Sequence, residues 1–186
     1  MRIIAGSLKH RIIPAPPGEG TRPTSDRGRE TLFHVLESNV SCSGATILDL
    51  YAGSGALAFE AISRGAARAT LVDSSADVCK HLRAAAIALG ISEIVSIVRA
   101  DALQYLQEGR PSVSNLVFVD PPYALKACNA VINKLLANDI LADGALVALE
   151  YSDQEHVLDT PKLALLRTIE IGSTVFDIYR RLSPLP

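Results

Sequence analysis

The residues best suited to chemistry are Asp120-Pro121-Pro122-Tyr123, which follow the apolar run Leu116–Val119. Each proline holds its own φ near about −65°, pushes the residue before it into extended backbone and ends a strand ladder. The carbonyls of Asp120 and Pro121 are therefore expected to be held facing a cleft. An exocyclic base amine is a poor nucleophile, because its lone pair is delocalised into the ring. Accepting its N–H groups on the Asp120 carboxylate and the Pro121 carbonyl would draw the nitrogen towards tetrahedral geometry and aim its lone pair at a methyl sulfonium. Asp120 can take the proton released, and Tyr123 can stack on the base. Such a base must be unpaired or flipped out of its stack.

A donor site is legible upstream, in Thr46–Ala58, TILDLYAGSGALA. Apolar residues lead to Asp49, a turn carries Gly53, Ser54 and Gly55, and Leu57-Ala58-Phe59 opens a helical pattern. A glycine turn between a buried strand and a helix lets a ligand approach the backbone at the positive end of the helix dipole. Gly53-Ser54-Gly55-Ala56-Leu57-Ala58 also satisfies the looser dinucleotide fingerprint G-x-G-x-x-A, with Asp73 about 20 residues on, placed to hold ribose hydroxyls. Asp49 separates the two ligands. A carboxylate ahead of the glycines repels a pyrophosphate and suits a cofactor with a cationic amino acid end, such as S-adenosylmethionine.

These motifs need a sheet to bring them together. Apolar strands are expected at Thr46–Asp49, Ala69–Val72, Ile94–Val98, Leu116–Val119 and Ala145–Leu149. Helices are expected between them, with Ala76–Leu89 closed by Gly90 and another at Lys126–Leu136. Such alternation describes a parallel sheet covered on both faces, with ligands at the carboxyl ends of its strands. Asp49, Asp73, Asp101 and Asp120 all fall at those ends. The chain closes differently, with Leu163–Ile171 and Thr174–Arg181 reading as an antiparallel hairpin around Gly172-Ser173. A terminal antiparallel pair is a feature of S-adenosylmethionine-dependent methyltransferases rather than of dehydrogenases.

Ahead of this sheet, Arg2–Ala5 and Arg11–Pro14 read as a small hairpin around Gly6-Ser7. Pro14–Pro23 reads as a connector that should hold the hairpin away from the main core. Thr24-Ser25-Asp26 offers the N-cap of a helix that ends near Asn39, with Arg27 and Arg29 on a solvated or phosphate-contacting face. The organisation expected is a basic arm and linker over residues 1–23 and a catalytic domain over 24–186. Net charge is −2, yet residues 1–30 set Arg2, Lys9, Arg11, Arg22, Arg27 and Arg29 against Glu19, Asp26 and Glu30, a net +3 that leaves −5 elsewhere. The asymmetry points to a polyanion at the arm.

The remaining composition narrows the chemistry. Cys42, Cys79 and Cys128 are odd in number and far apart, which argues against disulfides or a thiolate metal site, and the four histidines have no metal-ligand spacing. With 48% hydrophobic residues and no apolar run of about 18 residues, a cytoplasmic protein with no membrane association is expected.

The ordered set RIIAG (Arg2–Gly6), RPTSDRGRE (Arg22–Glu30), DLYAGSG (Asp49–Gly55), EAISRGA (Glu60–Ala66) and DPPY (Asp120–Tyr123) resembles the bacterial 16S ribosomal RNA guanine-N2 methyltransferases of the RsmD type. The resemblance covers nearly the whole chain. It implies an α/β fold, the Rossmann-like class I methyltransferase sheet with a C-terminal antiparallel hairpin and a small N-terminal arm. By it, Asp49, Ala52, Gly53, Ser54 and Gly55 hold the methionine part of S-adenosylmethionine, Asp73 the ribose, and Asp101 or Ala102 the adenine. Asp120, Pro121, Pro122 and Tyr123 then meet the target guanine, and Arg2, Lys9, Arg11, Arg22 and Arg27 meet RNA. The implied partner is 16S ribosomal RNA in the small subunit or an assembly intermediate, approached by a monomer.

Some positions depart from the family pattern. His10 stands where a glycine is expected in the first hairpin, Gly28 where a Val or Ala is usual, and Asp73 where Glu is commoner. Three readings compete with the resemblance: an adenine-N6 methyltransferase acting on DNA or RNA, an NAD-dependent oxidoreductase, and a non-catalytic RNA-binding factor on the same fold.

Overall fold

A computed structural model of the chain describes residues 1–14, 26–108, 111–122, 125, 127–151, 160–171 and 174–183. Among the described residues seven strands form one sheet: β1 (Thr46–Leu50), β2 (Arg68–Asp73), β3 (Val95–Arg99), β4 (Ser114–Val119), β5 (Leu141–Tyr151), β6 (Leu163–Ile171) and β7 (Thr174–Arg181). Their order is β3-β2-β1-β4-β5-β7-β6, with the first five parallel and β7 antiparallel to both β5 and β6. The helices are α1 (Asp26–Glu37), α2 (Ala56–Ser63), α3 (Ala76–Leu89), α4 (Ala102–Glu108) and α5 (Cys128–Ala137).

Strand side chains alternate between faces, and each face feeds a separate core. Ile47, Leu71, Leu116, Phe118, Leu146 and Ala148 pack with α1, α2 and α3 on one side. Leu48, Leu50, Val72, Val117, Val119, Val147 and Leu149 pack with α4 and α5 on the other. Burial on both sides explains why the central strands read as apolar runs rather than as alternating ones.

The expected strands, the α3 span with Gly90 as its left-handed cap, and the C-terminal hairpin all form. The turn at Gly172-Ser173, the cap residues Thr24 and Ser25, and the connector lie outside the described residues. β5 is longer than Ala145–Leu149, because it gains Leu141 against Ser114 across a register shift and Tyr151 against Val175. Local apolarity cannot report such edges, which are set by the partner strand.

One expectation fails. The N-terminal hairpin is not held away from the core: Ile3 and Ile13 are buried among α1 and α2 residues. Its own strand pairing is a single bridge, Arg2 to Ile12, with Ile3 N donating to Arg11 O at 3.0 Å and Ile13 N to Met1 O at 2.9 Å. Two isoleucines on so short a ribbon have no apolar partners of their own, so docking is the way they leave water.

Candidate active site

The strand order places β3, β2, β1 and β4 side by side. Asp101, Asp73, Asp49 and Asp120 therefore belong to the carboxyl ends of four neighbouring strands. Asp49 lies within β1 and is buried, and its Oδ2 accepts the Ala58 amide of α2 at 3.3 Å. Burial pushes its carboxyl well above the usual range. The α2 amide opposes this, while the negative charges of Asp120 and Asp73 add to it. Asp120 follows β4, its amide reaching Leu50 O at 3.5 Å, and burial raises its carboxyl to about 6. Two carboxyls that disfavour each other's ionisation, beside a glycine turn, are a site that favours a cation or a proton donor.

The glycine turn is a run of unusual backbone. Tyr51, Gly53 and Gly55 all have positive φ, at 63°, 51° and 73°. Ala52 N is anchored to Val72 O at 3.0 Å and Gly55 N to Ala52 O at 2.7 Å. The two glycines serve different ends. A Cβ on Gly55, which caps α2, would sit 2.6 Å from Phe59 and 2.7 Å from Leu82, so that glycine lets α2 pack. A Cβ on Gly53 would meet nothing closer than Tyr51 O at 3.8 Å. Open space over a backbone held at positive φ, next to a helix N-terminus, fits a ligand with an adenosyl and amino acid part.

Asp73 ends β2, with Oδ2 accepting Gly53 N at 3.0 Å and Oδ1 accepting Ser75 N at 2.9 Å. Its carboxylate thus tightens the turn from the side where a ribose is expected. Asp101 is exposed and accepts Gln104 N at 3.0 Å, opening α4, while Ala102 is buried. Pro121 is buried, Pro122 is exposed, and Pro122 O accepts Leu125 N at 2.8 Å. Tyr123 lies outside the described residues.

Of the basic residues, Arg2, Lys9, Arg11 and Arg27 are exposed, and Arg22 lies outside the described residues. Arg11 also donates to Ala88 O at the end of α3. Arg29 corrects the expectation of a solvated helix face. It is 1% exposed, donates to Arg2 O and Asp26, and faces the buried carboxylate of Glu60.

The sequence motifs assign no chemistry to the buried carboxylates Glu60 and Glu150. Glu60 is fully buried on α2, and Glu150 is buried at the end of β5, directly after the Val119–Leu149 pair that leads to Asp120. Both stand alone in apolar runs, AFEAI and LVALEY. Among the described residues no group of His, Cys, Asp or Glu is arranged to hold a metal, the three cysteines are buried and in no disulfide, and no helix is long and apolar enough to cross a membrane.

The family model described as conserved hypothetical protein 95 matches residues 1–180. Ribosomal RNA small subunit methyltransferase D of Escherichia coli is 39% identical over 186 residues, covering 97% of this chain and 90% of that protein. The solved structure of yhhF from Escherichia coli superposes with a TM-score of 0.87 at 36% identity, covering 98% of each chain. An RNA methyltransferase from Salinibacter ruber, solved with S-adenosyl-L-homocysteine, gives a TM-score of 0.66 at 18% identity over 88% of this chain and 96% of that one, a likeness of fold.

Proposed function

The chain belongs to the family described as conserved hypothetical protein 95 and has the class I methyltransferase fold. From that premise we propose that it transfers a methyl group from S-adenosylmethionine to the exocyclic N2 amine of a guanine in 16S ribosomal RNA of the small subunit. The observation that carries the reading is that Asp49, within β1, and Asp120, directly after the adjacent strand β4, stand close enough for the charge of one to raise the pKa of the other, beside a glycine turn left open at Gly53. The name of the Escherichia coli relative supports ribosomal RNA as the acceptor.

S-adenosylmethionine supplies a sulfonium-bound electrophilic methyl. The turn Ala52-Gly53-Ser54-Gly55 and Asp49 hold its charged amino acid end, Asp73 its ribose, and Asp101 with Ala102 its adenine. Asp120 and the Pro121 carbonyl accept the N–H groups of the target amine, fix the direction of its lone pair and exclude water from it. With its pKa near 6, the Asp120 carboxylate is ionised at neutral pH and basic enough to receive the proton that the methylated amine loses. Tyr123 stacks on the base. Arg2, Lys9, Arg11, Arg22 and Arg27 meet phosphates and bring the RNA to this edge of the sheet.

The test is transfer from labelled S-adenosylmethionine into small ribosomal subunits, naked 16S RNA and duplex DNA, with the modified nucleoside identified after digestion. The proposal expects N2-methylguanine from the subunit or its RNA. N6-methyladenine would move the same chemistry to adenine, and label in no substrate would remove the catalytic reading.

A further inference from the structure

Two motifs of the chain, EAISRGA and the end of RPTSDRGRE, have no part in the chemistry at the strand ends. The structure joins them beneath the hairpin. Glu60, fully buried on α2, accepts Ile4 N on Oε2 at 2.8 Å and Ala5 N on Oε1 at 3.0 Å. Arg64 Nε donates to Oε1 at 2.9 Å, and Arg29 Nε lies 3.9 Å from Oε2 while another nitrogen of that guanidinium donates to Arg2 O. One turn on, Ser63 Oγ accepts Leu8 N at 2.9 Å and donates to Ala5 O, and Ser63 O accepts Ser7 N at 2.7 Å. Gly6 completes the fit: at φ +82°, a Cβ there would stand 1.8 Å from Ser63 O.

The backbone of Ile4–Leu8 thus takes its partners from α2 rather than from a second strand. A buried carboxylate with arginine partners adds little net stability over an apolar contact of the same size, because both charges must be desolvated. What it does add is direction. Two carboxylate oxygens that each take one of two successive amides admit a single placement of the chain. That placement is tied to the donor site, since Glu60 lies five residues after Gly55, a rise of about 7 Å along α2. From the other side, Ser54 of the glycine turn meets Met1 with its Oγ 4.0 Å from Sδ.

We propose that Glu60, with Arg29 and Ser63, is a positioning clamp that holds the basic hairpin at a fixed distance and orientation from the methyl donor, so that RNA bound by Arg2, Lys9 and Arg11 presents its target base at Asp120. This rests on the RNA methyltransferase reading above. Glu60 touches neither cofactor nor base. Its effect passes through the hairpin.

Two unrelated variants test it. Glu60→Gln leaves one of the two amides facing a donor, and Gly6→Ala drives the hairpin off Ser63 without altering any charge. In both, amide hydrogen exchange at Ile4, Ala5 and Leu8 should accelerate by about tenfold or more, the KM for RNA should rise by about tenfold, and kcat and the Kd for S-adenosylhomocysteine should change by less than about threefold. Faster exchange with an unchanged KM would overturn the proposal, as would unchanged exchange in both variants. A fall in kcat with KM constant would make Glu60 part of the donor site instead and overturn it equally. Absence of transfer by the unmodified chain would count against the methyltransferase reading alone, because exchange at Ile4 and Ala5 judges the clamp without substrate.

Discussion

The two ends of α2 meet their surroundings in opposite ways. At its N-terminal end Gly53 has positive φ and open space where a side chain would be, and the Ala58 amide meets the buried carboxyl of Asp49. Towards its C-terminal end Gly6 of the hairpin also has positive φ, but the space is filled by the Ser63 carbonyl, and Glu60 takes the hairpin amides. The same residue type, in the same backbone region, leaves open space in one place and a close contact in the other. A small residue therefore reports a ligand only when the neighbouring atoms have been located. One end of the helix is free to bind, and the other is committed to holding a second element at a set distance.

Breaking the open end at its reacting group should give the largest effect. Asp120→Asn should lower methyl transfer by about 10²–10⁴-fold while S-adenosylhomocysteine affinity and RNA binding stay near those of the unmodified chain, as single-turnover kinetics and calorimetry would show. The same substitution should stabilise the protein. Asp120 has a folded pKa of about 6 against an ordinary value of 3.8, so its contribution is favourable below about pH 4 and is lost as pH rises through 6. Replacing it should raise stability on the order of 2 kcal/mol at neutral pH, with the gain fading towards pH 4, as thermal melts across that window would report.

The pH dependence of catalysis comes next in size. If the ionised carboxylate receives the proton, single-turnover rates should fall about tenfold per pH unit below 6 and level off above it. A flat profile from 5 to 8 would assign the proton elsewhere.

A smaller effect sharpens the contrast between the two glycines. Gly53→Ala carries only the strain of positive φ, about 1 kcal/mol of stability, yet places a methyl group in the donor space and should weaken S-adenosylhomocysteine binding at least tenfold. Gly6→Ala should lower Tm further while leaving that affinity within about threefold. Equal effects of the two on ligand affinity would erase the distinction between the ends.

The smallest change concerns His10, which has φ +70° where related chains are expected to carry glycine. His10→Gly should relieve this strain and stabilise the hairpin by about 1 kcal/mol, measured by denaturant unfolding.

The central sheet, its carboxylate edge and the C-terminal hairpin are legible in the sequence because each rests on local pattern. Apolar runs such as Leu116–Val119 are buried on both faces, and Asp49, Asp73 and Asp120 interrupt or end such runs. The docked hairpin is not legible in that way. Ile3 and Ile13 are too few to show a periodicity, and Glu60, which takes the amides of Ile4 and Ala5, is more than 50 residues further on than either. Arg29 reads as one charge among several on an exposed helix face, and only the meeting of α1 with α2 buries it. Glu150 shows the complementary failure. Like Asp49 it interrupts an apolar run near the end of a strand, but no glycine turn or proline pair follows it in the sequence, so no motif includes it.

The most direct test of the account is hydrogen exchange of the intact chain with and without S-adenosylhomocysteine. The account predicts that ligand protects the amides of Tyr51–Ala58 and Asp73–Ser75, while Ile3, Ile4, Ala5 and Ile13 are already protected without it. Protection gained away from the glycine turn, or hairpin amides that exchange freely in the unliganded chain, would contradict the division of α2 into a binding end and a holding end.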